Sequence, residues 1–244
     1  MLRRTLRLVL TIVMLSTAAV VGGVATAGTA QADACYTWNR TLSQGATGAD
    51  VTQLQIRVAG YPGYGQVLAI DGSYGPATKA AVTRFQQAYG LSADGIAGPQ
   101  TFNQIYALQS PDCSPANFTF AELNRCNSTW SGGRVSAAQA KENAKRTMWK
   151  LQAMRRAMGS APINISSGFR SESCNSAVGG STNSRHMYGD AADMTGTHSF
   201  CALARNARNH GFREILGPGY PGHHNHTHVA HRSNRFWSAS NCGI

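Results

Sequence analysis

Residues 184–193 read Ser184-Arg185-His186-Met187-Tyr188-Gly189-Asp190-Ala191-Ala192-Asp193, and residues 225–229 read Asn225-His226-Thr227-His228-Val229. Zinc takes imidazole nitrogen and carboxylate oxygen, and a catalytic zinc site uses three protein ligands with a fourth position left for water. A His and an Asp on the first stretch and a His on the second meet that count. On a strand successive side chains alternate faces, so His226 and His228 point one way and Thr227 the other. The same alternation puts Ala191 on the face of Asp193, where a small side chain leaves room beside an ion. Gly189 permits the bend between His186 and that strand.

Upstream, Pro162 to Gly168 reads as a short strand running into a turn, with Phe169-Arg170 beyond it. Before that, Ala140, Ala144, Met148, Leu151, Met154 and Met158 recur at three- and four-residue steps, which predicts one long helix between Ser136 and Met158 with the methionines as ordinary core. Ser110 to Cys126 is irregular, with Pro111, Pro115 and Asn117, and reads as a linker.

In front of the linker the chain repeats itself. Asp71-Gly72-Ser73-Tyr74-Gly75-Pro76-Ala77-Thr78 returns as Asp94-Gly95-Ile96-Ala97-Gly98-Pro99-Gln100-Thr101. Each copy reads as a tight turn at Asp-Gly, a second turn at Gly, and Pro at the first position of a helix, where its missing N–H is not needed. Ala81, Val82, Phe85 and Ala88 follow the first copy at helical spacing, and Phe102, Ile105 and Leu108 follow the second. With an earlier helix at Val51, Leu54, Gln55 and Val58, the unit is a small three-helix bundle. Three segments result: 1–32, 33–113 and 114–244.

The first segment has Arg3, Arg4 and Arg7 ahead of an apolar run from Leu8 to about Ala27, then Ala30-Gln31-Ala32-Asp33-Ala34. That is the layout of a secretory signal peptide, with Ala32/Asp33 preferred over Ala34/Cys35 as the cut. An uncleaved membrane anchor is the competing reading, weakened by the Thr, Ser and Gly residues in the run. The whole chain has 22 basic and 11 acidic residues; cleavage removes three Arg and no acid, leaving 19 against 11, or +8. Such a chain is drawn to polyanions. Export makes an anionic cell wall the partner rather than nucleic acid, and no run of interleaved Arg and aromatics of the nucleic-acid kind is present. No stable membrane association is expected after cleavage, and the chain is expected to be a monomer.

Six cysteines, at 35, 113, 126, 174, 201 and 242, suggest disulfides in an exported chain. Six cysteines allow about 15 pairings. The domain layout narrows them, because Cys35 and Cys113 sit at the two ends of one unit and the other four lie beyond it. The pairings expected are 35–113, 126–174 and 201–242.

Gly48-x-x-Val51-x-x-Leu54-Gln55, the paired Asp-Gly-x-x-Gly-Pro-x-Thr turns and Phe85-Gln86 resemble the peptidoglycan-binding domain over roughly residues 40–108. Ser-x-His-x-x-Gly-x-Ala-x-Asp from Ser184 to Asp193, followed by His226-x-His228, resembles the zinc D-Ala-D-Ala carboxypeptidases and their relatives, which share a fold with the signalling domain of hedgehog proteins. The resemblance implies an α+β catalytic domain behind the all-α wall-binding domain. It also implies one Zn²⁺ per chain held by His186, Asp193 and His228, with His226 off the metal as the catalytic group. Arg170, in Gly168-Phe169-Arg170-Ser171, would hold the terminal carboxylate of a peptidoglycan stem peptide ending in D-Ala-D-Ala. Asn225 departs from the pattern, which commonly has Asp there; a neutral amide does not raise the proton affinity of His226 as a carboxylate would.

Blander readings stand beside these. His198, His210 and His231 read as structural or surface residues, His223 and His224 as loop residues flanking the site, and Asp190 as a solvated carboxylate. Ser184 either orients substrate or caps a turn, and Arg170 is a surface charge if the motif is set aside. The alternatives for the whole chain are an endopeptidase of the same superfamily with a different bond specificity, and a non-catalytic wall-binding protein with a structural zinc. The latter needs a fourth protein ligand, and none is obvious.

Overall fold

The computed structural model describes residues 35–124, 126 and 129–244. The leader reading of residues 1–32 lies outside them. Among the described residues no helix is long and apolar enough to cross a membrane.

Three helices form the first domain: α1 (Ala49–Arg57), α2 (Pro76–Ala88) and α3 (Pro99–Ala107). Pro76 and Pro99 open their helices, as the repeat predicts. Val51, Leu54, Val82, Phe85, Phe102 and Ile105 are buried together, each contributing roughly 1.5–3 kcal/mol. The repeated turns owe their form to two buried glutamines. Gln55 donates from Nε2 to Asp71 Oδ1 at 2.8 Å, and its Oε1 accepts from the Gly72 N–H at 2.9 Å. Gln86 repeats both contacts one helix later, with Asp94 Oδ1 at 3.0 Å and the Gly95 N–H at 2.9 Å. In each copy the amide also reaches the threonine of the following helix, Thr78 or Thr101. The Cys35–Cys113 disulfide joins the ends of this unit, with Cα atoms 5.4 Å apart.

The second domain packs a long helix, α4 (Ala137–Ala157), against a five-stranded sheet of β1 (Asn164–Ser167), β2 (Ala191–Thr195), β3 (Glu214–Leu216), β4 (Thr227–Ala230) and β5 (Phe236–Ser238). Two short helices, α5 (Glu172–Ala177) and α6 (Phe200–Ala207), fill the connections. Ser136 starts α4 by accepting the Gln139 N–H at 3.2 Å, an N-cap of the usual kind. The strand order is β1-β2-β4-β3-β5, antiparallel except for the β3/β5 pair. Cys126–Cys174 and Cys201–Cys242 are the other two disulfides.

Two expectations need correction. Residues 110–126 do not behave as a linker: Phe118 and Leu123 belong to the second core, and Ser110 and Ser114 are tied backbone to backbone at 2.8 Å. Asp190 is not solvated. It is buried, ion-paired with Arg185, and burial pushes its carboxyl above the usual range against the pull of that arginine.

The two domains share their boundary closely. Trp149 and Ala153 of α4 join the core of the first domain. A Cβ on Gly60 would lie 2.4 Å from that of Ala153, so only glycine lets the first domain approach the helix there. Lys150 Nζ donates to the Gly211 carbonyl at 2.9 Å, and the His210 Nδ1–H donates to the Gly60 carbonyl at 2.7 Å. His210 is thus a buried inter-domain tie.

Candidate metal centre and its cleft

The register of the central strands creates the site. Antiparallel pairing of β2 with β4 sets Asp193 directly opposite His228, and such cross-strand neighbours have Cβ atoms about 5 Å apart. His186 arrives from a separate 3-10 turn, Arg185–Tyr188, that ends at Gly189 with φ 76°. A Cβ on Gly189 would fall 2.3 Å from the Ala140 carbonyl of α4, so this bend has no room for another residue.

His186 Nε2, Asp193 Oδ1 and His228 Nδ1 converge. The separations are 3.1 Å for His186–Asp193, 3.1 Å for His186–His228 and 2.9 Å for His228–Asp193. Tetrahedral ligands near 2.1 Å from one ion stand roughly 3.4 Å apart, so a small outward relaxation admits zinc. All three side chains are buried, and no fourth His, Cys, Asp or Glu completes the group among the described residues. The donor set of two imidazoles and a carboxylate therefore fits an ion with an open position rather than a closed structural site.

Each of the three converging side chains is oriented from behind. His186 Nδ1–H donates to the Gly168 carbonyl at 2.5 Å, leaving Nε2 free of its proton. His228 turns Nε2 to Glu214 Oε1 at 3.1 Å, and Glu214 is held in turn by Arg232 at 2.5 Å. Asp193 gives its second oxygen to Arg170 Nη2 at 2.7 Å, while Arg170 Nε donates to Ser167 Oγ at 2.9 Å. Outer partners of this kind fix tautomers and raise ligand basicity. Burial opposes charge on His228, but hydrogen bonds to Asp193 and Glu214 outweigh it and push the ring up to about 9. Burial also works against the Asp193 carboxylate, and His186 and His228 overcome it, holding the group well below the usual carboxylate range. Burial lowers His186, against the pull of Asp193.

His226 lies just ahead of β4, yet it faces the same cleft: its Nε2 is 3.7 Å from Asp193 Oδ1. Its Nδ1–H donates to Asn225 Oδ1 at 2.8 Å, so the amide oxygen aims the ring even though it brings no charge. Burial lowers the proton affinity of His226, partly offset by Asp193. His223 packs its ring 4.7 Å from that of His226 and lines the cleft. Ser184 also lines the cleft and makes no side-chain cap to the turn it begins. The cleft, about 1060 Å³, runs between the 178–185 and 220–223 loops and has Arg170, His226 and the three converging donors in its wall.

Glu214 is a residue that sequence reasoning missed. It sits on β3 and reaches His228 only because β3 is the other neighbour of β4. The available signal was faint: an acid in a short apolar strand, Glu214-Ile215-Leu216.

A triangle of His, Asp and His at the floor of a cleft on a small sheet defines a mononuclear metallohydrolase-type centre, here joined to a helical domain. The family model described as Peptidase M15 matches residues 116–230, and that described as a putative peptidoglycan binding domain matches residues 47–105. The zinc D-Ala-D-Ala carboxypeptidase of Streptomyces albus G is 71% identical over 213 residues, which are 87% of this chain and 84% of that protein. A spore cortex-lytic enzyme of Bacillus cereus is 37% identical over 79 residues, 32% of this chain and 30% of its own. A probable N-acetylmuramoyl-L-alanine amidase of Bacillus licheniformis is 48% identical over 65 residues, 25% of this chain and 18% of its own. The chain belongs to the peptidase M15 family and carries a peptidoglycan-binding domain in front of its peptidase domain.

Proposed function

We propose that this protein is a secreted, monomeric zinc D-Ala-D-Ala carboxypeptidase of peptidoglycan, with His186, Asp193 and His228 as zinc ligands. The observation that carries the reading is the convergence of those three donors, within 3.1 Å of one another, in a cleft that also holds His226 and Arg170. The likeness to the Streptomyces albus G carboxypeptidase supports the bond specificity. Zinc held by His186, Asp193 and His228 would supply Lewis acidity, for activating a water and polarising the scissile carbonyl.

The chain's own residues do the rest. His226, aimed by Asn225, moves a proton at Nε2 and stabilises charge that develops on the scissile carbonyl oxygen. Arg170 keeps Asp193 turned toward the ion, and its remaining Nη1 reaches the terminal carboxylate of the stem peptide. Ser184, on the cleft wall with its hydroxyl uncommitted to a cap, positions the peptide. The helical domain keeps the enzyme on its polymer, and the leader at residues 1–32 exports it.

A second reading, endopeptidase action on cross-links, is favoured by one observation. Arg170 already spends Nε on Ser167 and Nη2 on Asp193. With that edge committed and its charge partly met by Asp193, the guanidinium holds a terminal carboxylate less firmly than an unpaired one, and so tolerates a chain that continues past the cut. The test is product analysis of the purified enzyme, with and without a chelator, on a stem peptide ending in D-Ala-D-Ala and on a cross-linked dimer. Chelator-sensitive release of free D-Ala from the stem peptide is expected. Cleavage of the dimer alone would replace the first reading by the second.

A further inference from the structure

A second recess of about 430 Å³ lies beside the metal cleft, walled by Tyr64 from the first domain and by Arg208, Arg235, Phe236 and Trp237 from the second. Phe236 lines both the recess and the cleft, so the two adjoin at its ring. Large apolar side chains are seldom left in water without a use when they cluster. Here Tyr64 is 59% exposed and Phe236 38% exposed, and Tyr64 meets Trp237 edge to face at 5.8 Å.

The arginines are organised by these rings. Arg208 lies over Tyr64 at 5.5 Å, Arg235 over Trp237 at 4.9 Å and Arg232 over Phe236 at 5.2 Å. Arg232 is paired with Glu214, whereas Arg208 and Arg235 have no carboxylate partner among the described residues. The rings restrain each guanidinium, and Arg208 is fixed further by donating Nε to the Arg205 carbonyl at 3.2 Å, which leaves its Nη groups for a ligand. The combination is therefore ring edges and faces of apolar carbon, interleaved with pre-oriented N–H donors. A pyranose chain offers the complement: C–H faces that lie on aromatic carbon, and hydroxyl, acetamido and carboxylate oxygens that accept from guanidinium.

Neither domain makes this surface alone. The Gly65 N–H donates to the Arg208 carbonyl at 2.8 Å, pinning the Tyr64 loop to the second domain. The inter-domain ties at Lys150 and His210 hold the halves in register, so the surface is formed before any ligand arrives. Such pre-organisation lowers the cost of binding.

We propose that Tyr64, Trp237, Arg208 and Arg235 form a composite subsite for the glycan strand of peptidoglycan, the polymer from which the peptide in the metal cleft hangs. This rests on the wall-peptide reading of the cleft, because the wall shared at Phe236 puts the recess next to whatever polymer carries the peptide held in the cleft. The subsite acts on polymeric wall and leaves cleavage of a short free peptide untouched.

The test is the double variant Tyr64→Ala/Arg235→Ala, which removes two exposed side chains that do not line the metal cleft. Its kcat/KM on a short peptide ending in D-Ala-D-Ala is expected to stay within about twofold of the parent, and on purified insoluble peptidoglycan to fall about tenfold. An equal loss on both substrates, or no selective loss on the polymer, overturns the proposal. A binding arm separates it from the reading beneath it. A peptide-free glycan octasaccharide is titrated into the full protein while the Trp237 indole resonance is followed by NMR. A saturable shift in the parent that vanishes in the variant is expected. If the parent cuts neither substrate, the peptidase reading fails while this arm still decides the subsite. A shift with polyglutamate and none with the glycan would assign the surface to an acidic protein partner and overturn the proposal.

Discussion

Arg170 Nη2 stands 2.7 Å from Oδ2 of Asp193, while Oδ1 of the same carboxylate faces His186 at 3.1 Å and His228 at 2.9 Å. One carboxylate thus turns one oxygen to the two imidazoles of the proposed zinc site and the other to the arginine. Arg170→Ala frees Oδ2 and lets the ligand rotate. Zinc affinity is expected to fall about 10–100-fold, as for other outer partners of metal ligands. Competition against a chromophoric chelator measures it. A rise in KM with zinc affinity unchanged would confine Arg170 to the substrate.

On the proposed assignment His226 and His228 divide their labour. His228→Ala removes a ligand at the centre of the buried triangle and is expected to lose both zinc and activity. His226→Ala keeps the three donors and is expected to retain zinc while losing about 10²–10⁴ in rate, the range for an acid–base group or an oxyanion donor. Metal content by atomic absorption, read beside activity for the two variants, checks the assignment. The reverse pattern would exchange their roles.

The buried glutamines of the first domain give a stability prediction independent of the metal. Gln86→Ala strips partners from the Gly95 N–H, from Asp94 and from Thr101. Leaving such groups unmet costs roughly 1–3 kcal/mol. The neighbouring exposed Gln87→Ala is expected to stay within about 0.5 kcal/mol of the parent. Urea midpoints for both variants decide whether the repeated turn depends on this amide.

Lys150 gives the pH dependence. Burial pulls its ammonium down to about 8 from 10.5; Asp190 resists that pull, while Arg146 and Arg213 reinforce it. Between those two values the unfolded chain holds the proton and the folded chain does not, so stability rises with pH through that window. The rise is read best below pH ~10, where tyrosines begin to ionise; burial raises Tyr61 and Tyr74, and they then act in the opposite sense. Lys150→Met is expected to flatten the gain in urea midpoint between about pH 7.5 and 9.5. A variant that keeps the parent's slope would assign the dependence to other groups.

What was legible in the sequence was local. Helical spacing marked α2, α3 and α4, because an amphipathic face is written every three or four residues. The duplicated Asp-Gly-x-x-Gly-Pro-x-Thr turns were visible as a repeat, though not the glutamine that each turn closes on. Residue types offered a His and an Asp on one stretch and a His on the other, and the resemblance to the zinc carboxypeptidases singled out His186, Asp193 and His228. Asp190 was misread as solvated, since nothing beside it in sequence announces that Lys150 and Arg185 gather around it.

By itself the sequence determined the helices α1 to α4, the turns that need glycine or proline, and the side chains with the chemistry to bind a metal. Only the tertiary structure decided that Glu214 backs His228, that Asp193 shares its carboxylate with Arg170, and that α4 lends Trp149 to the core of the first domain. The physical reason is range. Helix periodicity and turn chemistry act over a few residues and are written where they act, whereas strand register and core packing join residues far apart in the chain, and their partners exist only once both halves have folded against each other.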